Sequence, residues 1–511
     1  MRSVAMRKVF MGALAVVTSM SVAVSSEAYV PLLGDLDRAR RAREATLELD
    51  VAAARKILDG ADTSDTALAL ETARLRLYEG DCDGAVAVLS RPDLTNRPEA
   101  MDLGDVSRGC ARATAGTLTV RDDERGVVVR LQDDEDRALV PLIVDVALRA
   151  RENLAKDLGV ELPLPMRIDL VRDQFTLAAM TGLPEEAAQT TGTVAVAKWG
   201  RVTMLSPRAM SNGYAWLDTL AHELTHLALT RGTRDKAPLW LQEGVAKRQE
   251  VRWREKEPLD DFPPVDVVAR VGLDKGLGVE LDKIGPSIAM LPSAEQAQVA
   301  FAEVASFVRY WAREAGDEAL PQLVVRLKAA ESSKDFEQAI AEVSAADFQT
   351  WVKRWRAHIT GLPKDLPQEL EPGAMPANVK EIARRIRLGE LLQGRGHARA
   401  ASIERARAHA LIPHEASVRC HLAESLLAMG DTQNAAPLVE RIDDVFNRFG
   451  RWHSLNGLLH PDPSDLDRPF RFGIALDPLE PAVACEEKAA PELPKDAIRA
   501  AICEAARRMP R

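Results

Sequence analysis

Aromatic residues are scarce in this chain of 511 residues. They make up 5% of it, with only four tyrosines, and its five cysteines leave the stretch between Cys110 and Cys420 without one. That gap argues against a thiolate-rich structural metal site in the middle of the chain, since such sites are closed and cysteine-rich. It also argues against a cysteine nucleophile there. No basic tract occurs, and the formal charge is −10. A surface of that sign disfavours nucleic acid and anionic membrane as partners. Beyond the N-terminus no apolar run reaches the ~18 residues of a membrane span. Hydrophobic residues still make up 46% of the chain. With few aromatics, this suits a soluble, largely helical protein of two or three domains.

The N-terminus reads as an address. Arg2, Arg7 and Lys8 precede an apolar run from Val9 to Val24, and Ser26-Glu27-Ala28 offers small residues at the two positions a signal peptidase reads. The expectation is a signal peptide over residues 1–28 and export to the periplasm or out of the cell. A retained anchor helix is the alternative. Loss of Arg2, Arg7, Lys8 and Glu27 takes the formal charge from −10 to −12. Disulfides can form in that compartment. Cys82 with Cys110 and Cys485 with Cys503 make two local pairs, with Cys420 left over, although spacing does not fix connectivity. His409, His414 and His421, near Cys420, are expected on helix surfaces.

Chemistry concentrates in His222-Glu223-Leu224-Thr225-His226 and in Trp240-Leu241-Gln242-Glu243-Gly244. Residues four apart on a helix share a face about 6 Å apart, so His222 and His226 can bind one metal ion together. Glu223 is rotated about 100° from His222 and does not suit the same ion, but its carboxylate can take a proton from a water held beside it. A hydrolytic zinc site usually takes three protein ligands and leaves one position open. The apolar series Leu217, Leu220, Leu224, Leu227 predicts a helix ending near Thr230, with Arg231 to Pro238 as a turn and a second helix from Leu239. An antiparallel pair of that kind brings Glu243 level with His226, as the third ligand. Asp218, four residues before His222, is a candidate partner for the free nitrogen of a ligand imidazole, or else a solvated helix carboxylate.

These two segments, from Ala221 to Leu227 and from Pro238 to Ala246, resemble the gluzincin branch of zinc metallopeptidases, specifically bacterial peptidase MA-like domains. The resemblance covers roughly residues 125–360, because Ser306-Phe307-Val308-Arg309-Tyr310 and Trp351 to Trp355 are similar to the helical lobe that follows the zinc helices there. It implies one zinc ion held by His222, His226 and Glu243, with Glu223 as general base and a peptide or protein as substrate. It also implies a thermolysin-like α+β domain: a small mixed sheet, the HExxH helix and a helical lobe. Such domains often carry a tyrosine where this chain has Ala300-Phe301. Tyr214 and Tyr310 are the two tyrosines of this domain and either can donate to an oxyanion. Each is also readable as an ordinary half-buried tyrosine.

Strands are expected at 126–131, 166–171, 193–199 and 201–205, with a helix from Pro141 to Lys156. The gluzincin resemblance implies a sheet edge beside the metal that holds a peptide by strand addition; the strand from Thr193 to Trp199 is the candidate for it, or else an ordinary buried strand. A loop-rich stretch between Glu255 and Pro292 is expected in the cleft wall. Leu388-Gly389-Glu390, Leu392, Gly396 and Ala401 recur 34 positions later as Leu422-Ala423-Glu424, Leu426, Gly430 and Ala435, and Ala73, Gly80-Asp81, Ala85 and Leu89 make a similar fragment. These segments resemble tetratricopeptide repeats, which implies a surface for a protein partner or helical padding. The expected organisation is a helical region at 29–115, a peptidase domain at 122–360, a proline-rich linker at 361–379 and repeats with a tail at 380–511. Thr114 to Asp123 is expected as a further linker. The different-class alternative is an exported repeat scaffold that keeps zinc with little turnover.

Overall fold

The computed structural model describes residues 26–184, 193–209, 214–255, 260, 263–285, 287–332, 335–366, 371–373, 378–413, 415–440, 450–466 and 468–476. Residues 1–25 of the segment expected to be a signal peptide, Cys485, Cys503 and His414 fall outside these residues. Within them the protein is mixed α/β and largely helical, and no helix is long and apolar enough to cross a membrane.

Helices α1 (Ser26–Leu47), α2 (Val51–Leu58), α3 (Thr66–Glu79), α4 (Cys82–Leu89) and α5 (Pro98–Thr114) open the chain. The sheet follows, with strands β1 (Leu118–Asp122), β2 (Val127–Leu131), β3 (Met166–Val171), β4 (Ala195–Lys198) and β5 (Arg201–Leu205) in the order β1-β2-β3-β5-β4. The central pairs β2 with β3 and β3 with β5 are parallel; the outer pairs are antiparallel. Helix α6 (Val140–Leu158) makes the crossover between β2 and β3, and α7 (Gln174–Thr181) lies between β3 and β4. The segment from Thr114 to Asp123 is therefore more than a linker. It holds β1, a half-exposed edge strand whose sequence carries no continuous apolar run.

Helices α8 (Trp216–Thr233) and α9 (Leu239–Gln249) follow the sheet. A helical lobe comes next, with α10 (Val265–Asp274), α11 (Ala294–Ala315), α12 (Ala319–Ala329), α13 (Phe336–Ser344) and α14 (Phe348–Thr360). One apolar core runs through both lobes and the pair between them. Helix α8 extends three residues past the expected end at Thr230. Gly232 lies inside it and serves packing, since a Cβ there would meet Val160 and Val324 side chains at 2.6 and 2.8 Å.

The last helices are α15 (Val379–Gly394), α16 (Ala398–Leu411), α17 (Ala416–Ala428), α18 (Thr432–Val439), α19 (Gly450–Leu459) and α20 (Arg468–Leu476). Gly80, Gly396 and Gly430 turn the chain between paired helices with φ of 81°, 82° and 78°. Only glycine takes that conformation at no steric cost. Five residues beyond each stands an alanine with no exposure, Ala85, Ala401 and Ala435, which lets the second helix approach the first. The sequence recurrence is thus a recurrence of structure. His421 departs from expectation: it is buried, beside Arg451 and below the Arg405 guanidinium that donates to its carbonyl.

Cys82 and Cys110 form a disulfide joining α4 to α5, and Cys420 is free and buried. The N-terminal helices dock on the sheet through an apolar cluster shared with Val171 and Leu205, and through charge. Buried Arg201 of β5 donates to the Leu77 carbonyl at 2.7 Å, stands 3.3 Å from the Cys110 sulfur and pairs with Asp169 at 3.2 Å. Arg130 of β2 donates to the Gly80 carbonyl at 3.1 Å. These guanidinium groups satisfy carbonyls at the C-terminal end of α3, where a helix favours positive charge.

Candidate metal centre

Helix α8 carries His222 and His226, whose ring centroids lie 5.0 Å apart. The chain reverses after it through Arg234 and Asp235, with φ of 53° and 60°. Two consecutive left-handed non-glycine residues are costly. The turn is held because Thr233 Oγ1 accepts from the Ala237 N–H and Lys236 donates to the Ala330 carbonyl. Helix α9 then returns beside α8 and presents Glu243.

Two features fix the position of Glu243. The indole of Trp240, fully buried, is surrounded by Phe307, Phe336 and Phe348, with ring centroids 5.2, 6.2 and 4.9 Å away. At Gly244 an added Cβ would stand 2.5 Å from the Val304 carbonyl oxygen and 2.4 Å from the Val308 side chain. The glycine after the acid is therefore a packing requirement that lets α9 lie directly on α11.

Glu243 Oε2 stands 3.4 Å from His222 Nε2 and 3.6 Å from His226 Nε2. A direct N–H···O hydrogen bond would be about 2.7–3.2 Å. Two ligands on one tetrahedral zinc at about 2.0–2.1 Å stand roughly 3.3–3.4 Å apart. The observed separations fit donors sharing an ion better than donors bonded to each other, and the three donor atoms all lie within 4.8 Å of one another. Nitrogen and carboxylate donors suit zinc.

His222 Nδ1 lies 3.2 Å from Glu250 Oε2, and the other oxygen of Glu250 holds Lys247 Nζ at 2.5 Å. With Nδ1 donating to Glu250, Nε2 is the nitrogen that faces Glu243, and its lone pair becomes available to an ion when that nitrogen gives up its proton. Glu250 thus takes the supporting place expected for Asp218. Asp218 instead accepts from Trp253 Nε1 at 2.8 Å and pairs with Arg254 at 3.1 Å. Periodicity put Asp218 on the right face, but Trp253 and Arg254 engage it. Glu250 was legible only as a second carboxylate seven residues beyond Glu243.

Charge in the site is unbalanced toward the carboxylates. Burial pulls the His222 imidazole down, yet Glu243 and Glu250, with Glu223, outweigh it and push it up to about 10. Burial likewise works against Glu250, and Lys247 and His222 still hold it down to about 2. Glu223 is raised, first by burial and then by Glu243, against the pull of both imidazoles and of the Ala197 N–H. A divalent cation supplies the charge that such a cluster favours.

Glu223 lies outside the three-donor cluster and faces the Ala197 N–H, which favours its charged form. Sequence reading missed that donor. Trp199 and Gly200, with φ of 56° and 69°, form a two-residue hairpin with both positions left-handed. Lys198 and Arg201 are therefore a hydrogen-bonded pair and bonding alternates along the ladder, as the Leu205 N–H to Val194 carbonyl bond of 2.8 Å confirms. The backbone groups of Ala195 and Ala197 consequently point away from β5, toward the open edge.

That edge lines a cleft of about 1960 Å³ that also contains His222, Glu223, His226 and Glu243. Pro263, Val268 and Met290 contribute from the stretch expected in the wall, and Phe301 from α11. Neither candidate tyrosine is poised for an oxyanion. The Tyr214 hydroxyl donates to the Leu205 carbonyl at 2.5 Å, and Tyr310 stacks on His358 at 5.1 Å, apart from the residues that line the cleft. Their positions follow from the core: burial claims the first, and nine residues of helix turn the second away from Phe301. No family model matches the chain, and no curated protein matches it.

Proposed function

We propose that the cleft is that of a metal-dependent hydrolase. More particularly, it is a gluzincin-type zinc peptidase that cleaves peptide bonds. The observation that carries this reading is the separation of the three donors, 3.4 and 3.6 Å about Glu243 Oε2, beside a carboxylate that is not one of them.

His222, His226 and Glu243 would hold one zinc ion, which supplies Lewis acidity for a carbonyl and makes water a stronger acid. Glu223, its proton affinity raised by burial, takes the proton of the attacking water and passes it to the leaving nitrogen. Glu250 keeps the His222 ring oriented. The outward backbone groups of Ala195 and the Ala197 carbonyl hold the substrate as an added strand, while the Ala197 N–H faces Glu223. The helical pairs at the two ends, similar to tetratricopeptide repeats, offer a surface for a protein partner. Export to the periplasm or beyond the cell is supported by the Cys82–Cys110 disulfide.

A second reading is an exported scaffold with bound zinc and little turnover. It is favoured by the engagement of Tyr214 and Tyr310 away from the metal cluster. Zinc content and cleavage of a mixed peptide library, for the native protein and Glu223→Gln, separate the two. The peptidase reading expects zinc in both and cleavage in the first alone; zinc without Glu223-dependent cleavage leaves the scaffold.

A further inference from the structure

The chain beyond residue 360 returns to the cleft, which Glu371, Gly373 and the start of α17 also line. At one end of its helical array the connecting segment is tied to α10: Lys275 donates to the Pro372 carbonyl at 3.1 Å and pairs with Glu371 at 2.8 Å, and Lys364 pairs with Asp274. At the other end α20 packs on the 3-10 turns Asp134–Leu139 and Pro207–Ala209. Leu476 of α20 is buried in the same apolar core as the sheet. Helix α10 belongs to the helical lobe and both turns to the sheet lobe. The array is therefore anchored on both sides of the cleft. Between the anchors, Glu415, Ala416 and Arg419 at the start of α17 line the cleft that holds His222 and Glu223.

We infer that the C-terminal helical array bridges the two lobes across the cleft and restricts it to unfolded, extended polypeptide, which passes beneath the bridge and touches Arg419. This rests on the peptidase reading of the same cleft. Two features favour an extended chain independently of each other: the outward Ala195 N–H and C=O and Ala197 C=O of β4 pair with a strand, and a span tied to both lobes, with Arg419 lining the cleft, narrows the approach of a folded body. A folded protein offers such a segment only by local opening, whose free energy ranges up to its global stability. Exclusion by at least about 100-fold, equivalent to about 2.7 kcal/mol of opening, is therefore expected.

The test uses the full-length, zinc-loaded protein with a photo-crosslinking amino acid in place of Arg419, in a Glu223→Gln background. The probe is one small disulfide-bonded protein in two forms, native and permanently unfolded by reduction and carboxymethylation. Position 419 is expected to crosslink the unfolded form and not the native one, and the wild-type enzyme to cut the unfolded form at least ~100-fold faster. Leu476→Asp, which loosens α20, is expected to narrow that ratio at least ~10-fold. Equal treatment of the two forms, or no crosslink from position 419 to either, overturns the inference. Glu223-dependent hydrolysis of a short peptide with equal handling of both forms keeps the peptidase reading and sinks the bridge. Crosslinking of the unfolded form without Glu223-dependent hydrolysis keeps the bridge and sinks the peptidase reading.

Discussion

Glu250 Oε2 stands 3.2 Å from Nδ1 of His222, on the side of the ring opposite the nitrogen that faces Glu243. A carboxylate so placed fixes which imidazole nitrogen is free to bind an ion and makes it more basic. Glu250→Gln should therefore keep the fold but lower zinc affinity about 10–100-fold, the usual cost of losing such a partner. Competition with a calibrated chelator measures it. An unchanged affinity would reduce Glu250 to a partner of Lys247.

Gly244→Ala tests how Glu243 is held. The new Cβ would collide with the Val304 backbone oxygen, so α9 must shift off α11. A stability loss of about 1–3 kcal/mol is expected, typical of overpacking, together with weaker zinc binding. Urea unfolding with and without zinc reads both. Full stability with lost zinc would contradict the packing account.

Glu303, with no exposed surface on α11, accepts from the Val279 N–H, and burial pushes its carboxyl up to about 7. Its folded pKa thus lies above the ordinary 4.5, so between those values the folded chain holds a proton that the unfolded chain has released. Its contribution to stability is full below pH ~4.5 and is lost as pH rises through ~7. Glu303→Gln should remove this dependence and stabilise the protein above pH 7 by up to about 3 kcal/mol. Denaturant midpoints across pH 4–8 for the two proteins should converge at the acid end and diverge at the neutral end.

The Cys82–Cys110 bridge closes a loop of sequence separation 28 in the N-terminal helices. Replacing both cysteines by alanine should cost about 3–4 kcal/mol by loop-closure entropy. The loss should centre on the N-terminal helices and the sheet they cover, since Arg201 reaches both Leu77 and the Cys110 sulfur. Hydrogen exchange resolves where protection falls. A loss confined to the C-terminal helices would be inconsistent with that docking.

The sequence was most legible where periodicity and chemistry coincide. His222, His226 and Glu243 could be paired because two helical registers and a turn bring them level, and the expected strands at 166–171 and 201–205 are β3 and β5. β1 escaped because its residues are half-exposed and alternate without an apolar run. Gly232 read as a turn because glycine usually breaks helices, whereas its role is to admit Val160 and Val324. Helical spacing pointed to Asp218, since spacing records which face a residue occupies and not which neighbour, here Trp253, will claim it; Glu250, on the next helix, has no such spacing to His222. The Ala197 N–H depends on the phase of the β4 hairpin, which was not read from the chain. Tertiary contacts bring the C-terminal array to the cleft; its own repeat pattern reports only local pairing.

Zinc K-edge X-ray absorption of the protein loaded with one equivalent of zinc tests the central claim most directly. Three light-atom protein ligands at about 2.0–2.2 Å are expected, two of them imidazoles, and His226→Ala should remove one imidazole from the spectrum. A sulfur ligand, a six-coordinate oxygen shell or a spectrum indifferent to His226→Ala would contradict it.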